Sequence, residues 1–176
     1  VGIEDETPIV AKFYRPERWT DAQLREEHVF TRELAAAELP VVAPLADANG
    51  ETLFTFESYR FALFTRKGGQ APEPGDPEQL HRIGMLLGRL HAIGRRQPFV
   101  ERPALTVERF LDQPAEAVTA EGFLPEALRS RYLAVIAALR DKIRRSGLES
   151  ASRIRTQGDC HPGNILWTPV DAPAAA

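Results

Sequence analysis

A chain of 176 residues, 43% hydrophobic and 27% charged, can form one ordinary domain or two small lobes, and its composition excludes wholesale disorder. The net charge of -3 argues against a general nucleic-acid binder, no apolar run approaches membrane-spanning length, and no basic segment followed by an apolar one reads as a secretory signal. The single cysteine, Cys160, cannot form an internal disulfide, which fits a reducing cytoplasm.

Residues 9–14 alternate as a strand, with Ile9, Ala11 and Phe13 on one side and Val10, Lys12 and Tyr14 on the other. Thr20 followed by Gln23 is a capping-box signature, and the helix it opens is expected to run to about Glu38, before Pro40. Residues 52–56 and 59–65 read as two further strands in a hairpin. Residues 66–76 hold Lys67-Gly68-Gly69 and Pro72-Glu73-Pro74-Gly75 and read as a connector. Asp76, Pro77 and Gln79 open a second helix whose stripe is Leu80, Ile83, Leu87 and Leu90 and whose end is Gly94. Gly84 and Gly88 form a smooth strip where another element could approach closely. A short helix is expected at 107–111. A long one is expected at 125–146, with the stripe Leu128, Tyr132, Val135, Ile136, Leu139 and Ile143, ended by Gly147. The expected class is α+β in two lobes: a β-rich lobe with one helix at 1–65, a hinge at 66–76, and a mainly helical lobe at 77–176. A cleft between two such lobes is a natural nucleotide site.

The most informative stretch is Gly158-Asp159-Cys160-His161-Pro162-Gly163-Asn164-Ile165-Leu166-Trp167. Asp159 and Asn164 flank a Pro-Gly reversal that can aim both oxygens at one point. A carboxylate that orients a hydroxyl proton and a neutral oxygen that helps hold Mg²⁺ are what phosphoryl transfer from ATP requires. Either residue alone would be read as a turn former; together, ahead of an apolar run, they point to chemistry. Asp159 is thus the candidate catalytic residue and Asn164 the candidate metal ligand.

Lys12, within Val10-Ala11-Lys12-Phe13, is either a snorkelling strand lysine or a grip on the α- and β-phosphates of ATP. Glu27 lies on the apolar face of the first helix with Leu24, Phe30 and Leu34, where a carboxylate needs a partner, and Lys12 is the expected one. Glu26, about 100° round the helix, is the substitute and otherwise a solvated charge. Arg66-Lys67-Gly68-Gly69 lacks the Lys-Ser/Thr ending of a phosphate loop. It reads as the hinge, beside which the backbone of Phe64 and Thr65 could bond an adenine edge. Cys160 and His161 are not expected to make a zinc site, because adjacent side chains diverge and no second Cys exists; His161 is expected either to order the loop or to stand on the substrate side. His91 reads as a hydrogen-bonded core histidine, and His28 and His81 as exposed.

Val10-Ala11-Lys12-Phe13-Tyr14-Arg15-Pro16, Arg25-Glu26-Glu27-His28, Phe61-Ala62-Leu63-Phe64, Leu87-Gly88-Arg89-Leu90-His91 and the Asp159–Asn164 loop resemble the aminoglycoside phosphotransferase and choline kinase branch of the protein-kinase-like fold. Within it the combination is similar to the bacterial stress response kinases. That resemblance covers essentially the whole chain and implies a cytoplasmic protein Ser/Thr kinase that uses ATP and Mg²⁺. Two departures matter. Gln157 stands where the branch usually has His, a change that an amide's own hydrogen bonds could accommodate. The branch's phosphate-covering loop should precede Val1, and its second metal-binding Asp should follow Trp167; Asp171 lacks the apolar strand context for that role. The expectation is therefore an incomplete fragment with negligible turnover of its own. A small-molecule kinase acting on an aminoglycoside, choline or homoserine hydroxyl is the alternative, with Glu108, Asp112 and Glu116 available to a polycation. A non-catalytic nucleotide-binding module is the other.

Overall fold

The computed structural model describes residues 8–120 and 122–168; Asp171 lies outside them. Three antiparallel strands, β1 (Ile9–Tyr14), β2 (Phe54–Phe56) and β3 (Tyr59–Thr65), form a sheet in the order β1-β3-β2, with Lys12 opposite Ala62. β2 is shorter than the expected 52–56 because Thr52 and Leu53 are drawn inward: Leu53 joins the core, and the Thr52 hydroxyl bonds a buried imidazole.

Helix α1 (Asp21–Ala36) opens on the capping box, with the Thr20 hydroxyl accepting from the Gln23 N–H and the Gln23 side-chain oxygen accepting from the Thr20 N–H. It stops two residues short of the expected end, and Glu38 turns the chain with φ 59°. The helix carries two apolar contacts on successive turns. Leu24 packs with Tyr14 and Ala62 of the sheet and with Leu53. Phe30 and Leu34 pack with Leu39 and with Leu90 and Ile93 of α2 (Pro77–Gly94). Burying each such side chain stabilises the fold by about 2 kcal/mol.

Asp76 caps α2 by accepting the N–H groups of Glu78 and Gln79. Only the C-terminal turn of its expected stripe is buried, and Leu80 is exposed. Nothing lies within 4 Å of where a Cβ would stand at Gly84 or Gly88, so the expected close approach is not made there. It is made at Gly94, where a Cβ would sit 2.1 Å from the Arg155 carbonyl oxygen.

Two compact units emerge, 1–102 with 154–176 and, separately, 103–153. These cut the chain elsewhere than the expected 1–65, 66–76 and 77–176, because α2 packs on α1 and the segment after Ile154 returns to Gly94 and Gln70. In the second unit a π-helical turn (Glu108–Asp112) runs into α3 (Gln113–Ala120), so the short helix expected at 107–111 is longer. Helix α4 (Glu126–Arg145) follows, and Gly147 ends it with φ 76°. Arg140 of α4 bonds the Asp112 carboxylate through two nitrogens, at 2.6 and 2.9 Å. None of the α4 stripe is buried among the described residues. No helix among the described residues is long and apolar enough to cross a membrane.

Candidate active site

The Asp159 loop is a chain of local hydrogen bonds. Gly158 takes φ +85°, a backbone that a side chain would strain. The Gln157 amide oxygen accepts from the Asp159 N–H at 2.7 Å, so the amide does bridge the loop as expected of it. His161 Nδ1 accepts from the Gly163 N–H at 3.1 Å and caps a single 3₁₀ turn, Pro162–Asn164. The imidazole thereby orders the loop.

That turn swings Asn164 back onto Asp159. The Asn164 Nδ2 donates to the Asp159 carbonyl at 2.9 Å and to its carboxylate Oδ2 at 3.1 Å. With its nitrogen so engaged, Asn164 has Oδ1 left to offer a ligand. The Asp159 side chain is 79% exposed, and His161 Nε2 stands 3.8 Å from its Oδ2. One carboxylate and one amide oxygen form a hard-oxygen donor set that suits a magnesium-like ion needing further oxygens from a phosphate. Among the described residues no cluster of three His, Cys, Asp or Glu side chains could hold a metal without such help.

The far side of the loop is tied to the connector. Gln70 and Trp167 exchange backbone hydrogen bonds at 3.0 and 2.8 Å, a single bridge at the end of the apolar run. Gly69, with φ +142°, lies so close that a Cβ would stand 3.0 Å from the Leu166 Cβ.

On the sheet, Lys12 is exposed, with its ammonium 5.2 Å from the Tyr14 ring centroid. The expected Lys12–Glu27 ion pair is not formed. Glu27 Oε2 instead lies 2.8 Å from Arg102 Nη1, and the Arg102 guanidinium stacks 4.1 Å from the Trp19 ring centroid. That approach is off-axis, since Nη1 is buried without an aligned hydrogen-bond acceptor. Arg102 wins because it arrives desolvated against the indole, where an ion pair is stronger than at an exposed strand lysine.

Glu26 is not a solvated charge. Its carboxylate accepts the backbone N–H groups of Val100, Glu101 and Arg102 at 2.5, 3.0 and 2.6 Å and pins that loop to α1. Nor is His28 exposed: it is 2% exposed, with Nε2 2.7 Å from the Tyr14 hydroxyl and Nδ1 2.9 Å from the Thr52 hydroxyl. Burial holds its pKa below the ordinary value, outweighing the Glu27 carboxylate. Burial, reinforced by Glu27, pushes the Tyr14 phenol up to about 12. His91, expected in the core, is only partly buried on α2, with no side-chain hydrogen bond among the described residues.

Phe64 and Thr65 sit at the end of β3, opposite Val10 and Ile9. The Arg66 N–H donates to the Pro8 carbonyl at 2.8 Å, so by the alternation of an antiparallel ladder Phe64 and Val10 form the next hydrogen-bonded pair. The Phe64 backbone faces β1 in that ladder, and the Thr65 groups face the other edge, along which Pro44 bridges Phe64 and the Leu45 N–H donates to the Leu63 carbonyl at 2.8 Å.

Residues 1–174 match the phosphotransferase enzyme family, and the chain belongs to it. It is 39% identical over 164 residues to stress response kinase A of Salmonella choleraesuis, covering 93% of this chain and 50% of that protein. A Salmonella typhimurium relative named serine/threonine protein kinase RdoA matches equally, at 39%, and stress response kinase A of Escherichia coli K12 is 38% identical over the same length. The chain spans about half the length of these curated relatives. In three dimensions it is similar to amicoumacin kinase hAmiN, solved in complex with AMP-PNP, Ca²⁺ and Ami. The TM-score is 0.68 at 15% identity, over 91% of this chain and 49% of that one. The fold is therefore protein-kinase-like and α+β, as the sequence implied.

Proposed function

We propose that this chain is the ATP- and Mg²⁺-using part of a cytoplasmic protein kinase, transferring a phosphoryl group to a Ser or Thr hydroxyl. The observation that carries the reading is the hydrogen bond from Asn164 Nδ2 to Asp159 Oδ2 at 3.1 Å, which brings an amide and a carboxylate together from one bend. Asp159 orients the acceptor hydroxyl and takes its proton. Asn164 Oδ1 would help hold Mg²⁺, which would offset charge on the phosphates. Lys12 draws the α- and β-phosphates, and the Thr65 backbone meets the adenine edge. In this reading 1–65 is the nucleotide lobe, 66–76 the hinge and 77–176 the lobe of the acceptor.

The protein acceptor is supported by the relative named as a serine/threonine protein kinase. A small-molecule hydroxyl is the second reading, favoured by the likeness to amicoumacin kinase. The acidic trio it would use is already reduced, because Asp112 holds Arg140. Phosphoryl transfer from labelled ATP by the full-length protein, to a casein-like protein against small alcohols, separates the two. In that assay Asp159→Asn lowers kcat by about 10³-fold and leaves ATP affinity nearly intact. Turnover that survives the substitution would overturn the reading, and ATP binding without turnover in the parent would indicate a non-catalytic module.

A further inference from the structure

Four residues before Asp159, Arg155 is buried with only 3% of its side chain exposed. Its guanidinium takes Glu33 of α1 in a two-pronged pair, Nη1 to Oε2 at 2.7 Å and Nη2 to Oε1 at 3.2 Å. Nη2 also reaches the Ile93 carbonyl of α2 at 3.3 Å. The planar group lies 4.2 Å from the Phe30 ring centroid and 5.9 Å from that of Phe99. Its backbone N–H donates to the Gly94 carbonyl at 3.2 Å, at the one helix position where only glycine fits. One side chain therefore joins α1, α2 and the strand of chain that leads into the Asp159 loop.

A buried ion pair is weak evidence for stability, since desolvation offsets most of the attraction. Among the described residues Nε is buried without a partner, a further cost. What the arrangement does supply is a fixed geometry: a rigid fork matched to a carboxylate at two points. The loop is anchored on its other side by the Gln70–Trp167 bridge. Between these anchors the loop's internal hydrogen bonds set the shape of the Asp159–Asn164 pair, and the anchors set where that pair stands relative to α1, which carries Glu27.

We infer that Arg155, clamped by Glu33, is a positioning residue that places the metal-ligating end of the Asp159–Asn164 loop, an inference that rests on the reading of that loop proposed above. Arg155→Lys keeps the charge and loses the fork. In the full-length protein it is expected to raise the Mg²⁺ concentration for half-maximal rate at least threefold. The same change lowers kcat about tenfold and leaves KM for ATP at saturating Mg²⁺ within twofold. A residue that only stabilises the fold would lower the active fraction without moving the metal requirement. An unchanged Mg²⁺ dependence, with rate loss tracking the folded fraction by circular dichroism, would overturn the inference. Should Arg155→Lys fail to fold, Glu33→Gln, which keeps one hydrogen bond at the more exposed partner, must shift the Mg²⁺ requirement in the same direction, or the inference fails. Asp159→Asn run in parallel keeps the two ideas apart. If it retains turnover, the loop reading falls and takes the clamp with it. If it is inactive while both clamp variants behave as wild type, only the clamp falls.

Discussion

Two polar clusters built from similar groups have opposite fates in this molecule. The Tyr14–His28–Thr52 cluster is buried, and both imidazole nitrogens are engaged. The Asp159–Asn164 cluster is exposed, and oxygens on both residues are left over after its internal bonds are made. Most buried polar groups are hydrogen-bonded, and with both imidazole nitrogens taken the first cluster ties β1, α1 and the β2 approach together and has no imidazole nitrogen left to offer a ligand. An exposed group carries little penalty for an open lone pair, so the second can wait for a ligand.

The contrast can be broken most strongly from the exposed side. Asp159→Asn, with its expected loss of about 10³-fold in kcat, should leave the denaturant midpoint unmoved, because a largely exposed carboxylate contributes little to folding. A large shift in the midpoint would place the loop with the structural cluster. Next in size, His28→Leu leaves two buried hydroxyls without their partner and is expected to cost about 3 kcal/mol in urea unfolding. Nucleotide affinity of the folded protein should be unaffected.

Tyr14→Phe removes one of those bonds and should cost about 1–2 kcal/mol. It should also flatten an alkaline loss of stability. Because the folded phenol titrates near 12 rather than at its usual 10.0, the unfolded chain releases that proton first, and stability falls as pH rises between those values. The smallest effect is on the acid side. The folded imidazole of His28 titrates below its ordinary 6.5, so the unfolded chain binds the extra proton, and stability falls as pH drops below that point. The acid loss should be absent in His28→Leu; if it persists there, another group is responsible.

Local signals were the most legible. The Thr20–Gln23 and Asp76–Gln79 caps, the Ile9–Tyr14 and Tyr59–Thr65 strands and the Gly94 and Gly147 stops depend on neighbours within a few residues, and each forms where the pattern places it. The Asp159–Asn164 convergence was legible for the same reason, since five positions separate the partners. Partner choice across the chain was not legible. Glu27 was read toward Lys12 and goes to Arg102, Glu26 was read as solvated and holds 100–102, and Arg155 reaches Glu33 across 122 positions. Nothing in periodicity says which of several arginines will be desolvated beside a given carboxylate. Gly84 and Gly88 made a stronger pattern than Gly94, yet the close approach is at Gly94, because the returning chain meets α2 at its end.

What the sequence determined by itself is the set of elements and the short loop that joins a carboxylate to an amide, because backbone propensity, capping and turn chemistry act over a few residues. What only the tertiary structure decided is which charges lose their water together. That choice depends on the packing of α1 against both the sheet and α2, and from one helix it sends Glu26 to the backbone of 100–102, Glu27 to the Arg102 guanidinium, His28 to Tyr14 and Glu33 to Arg155.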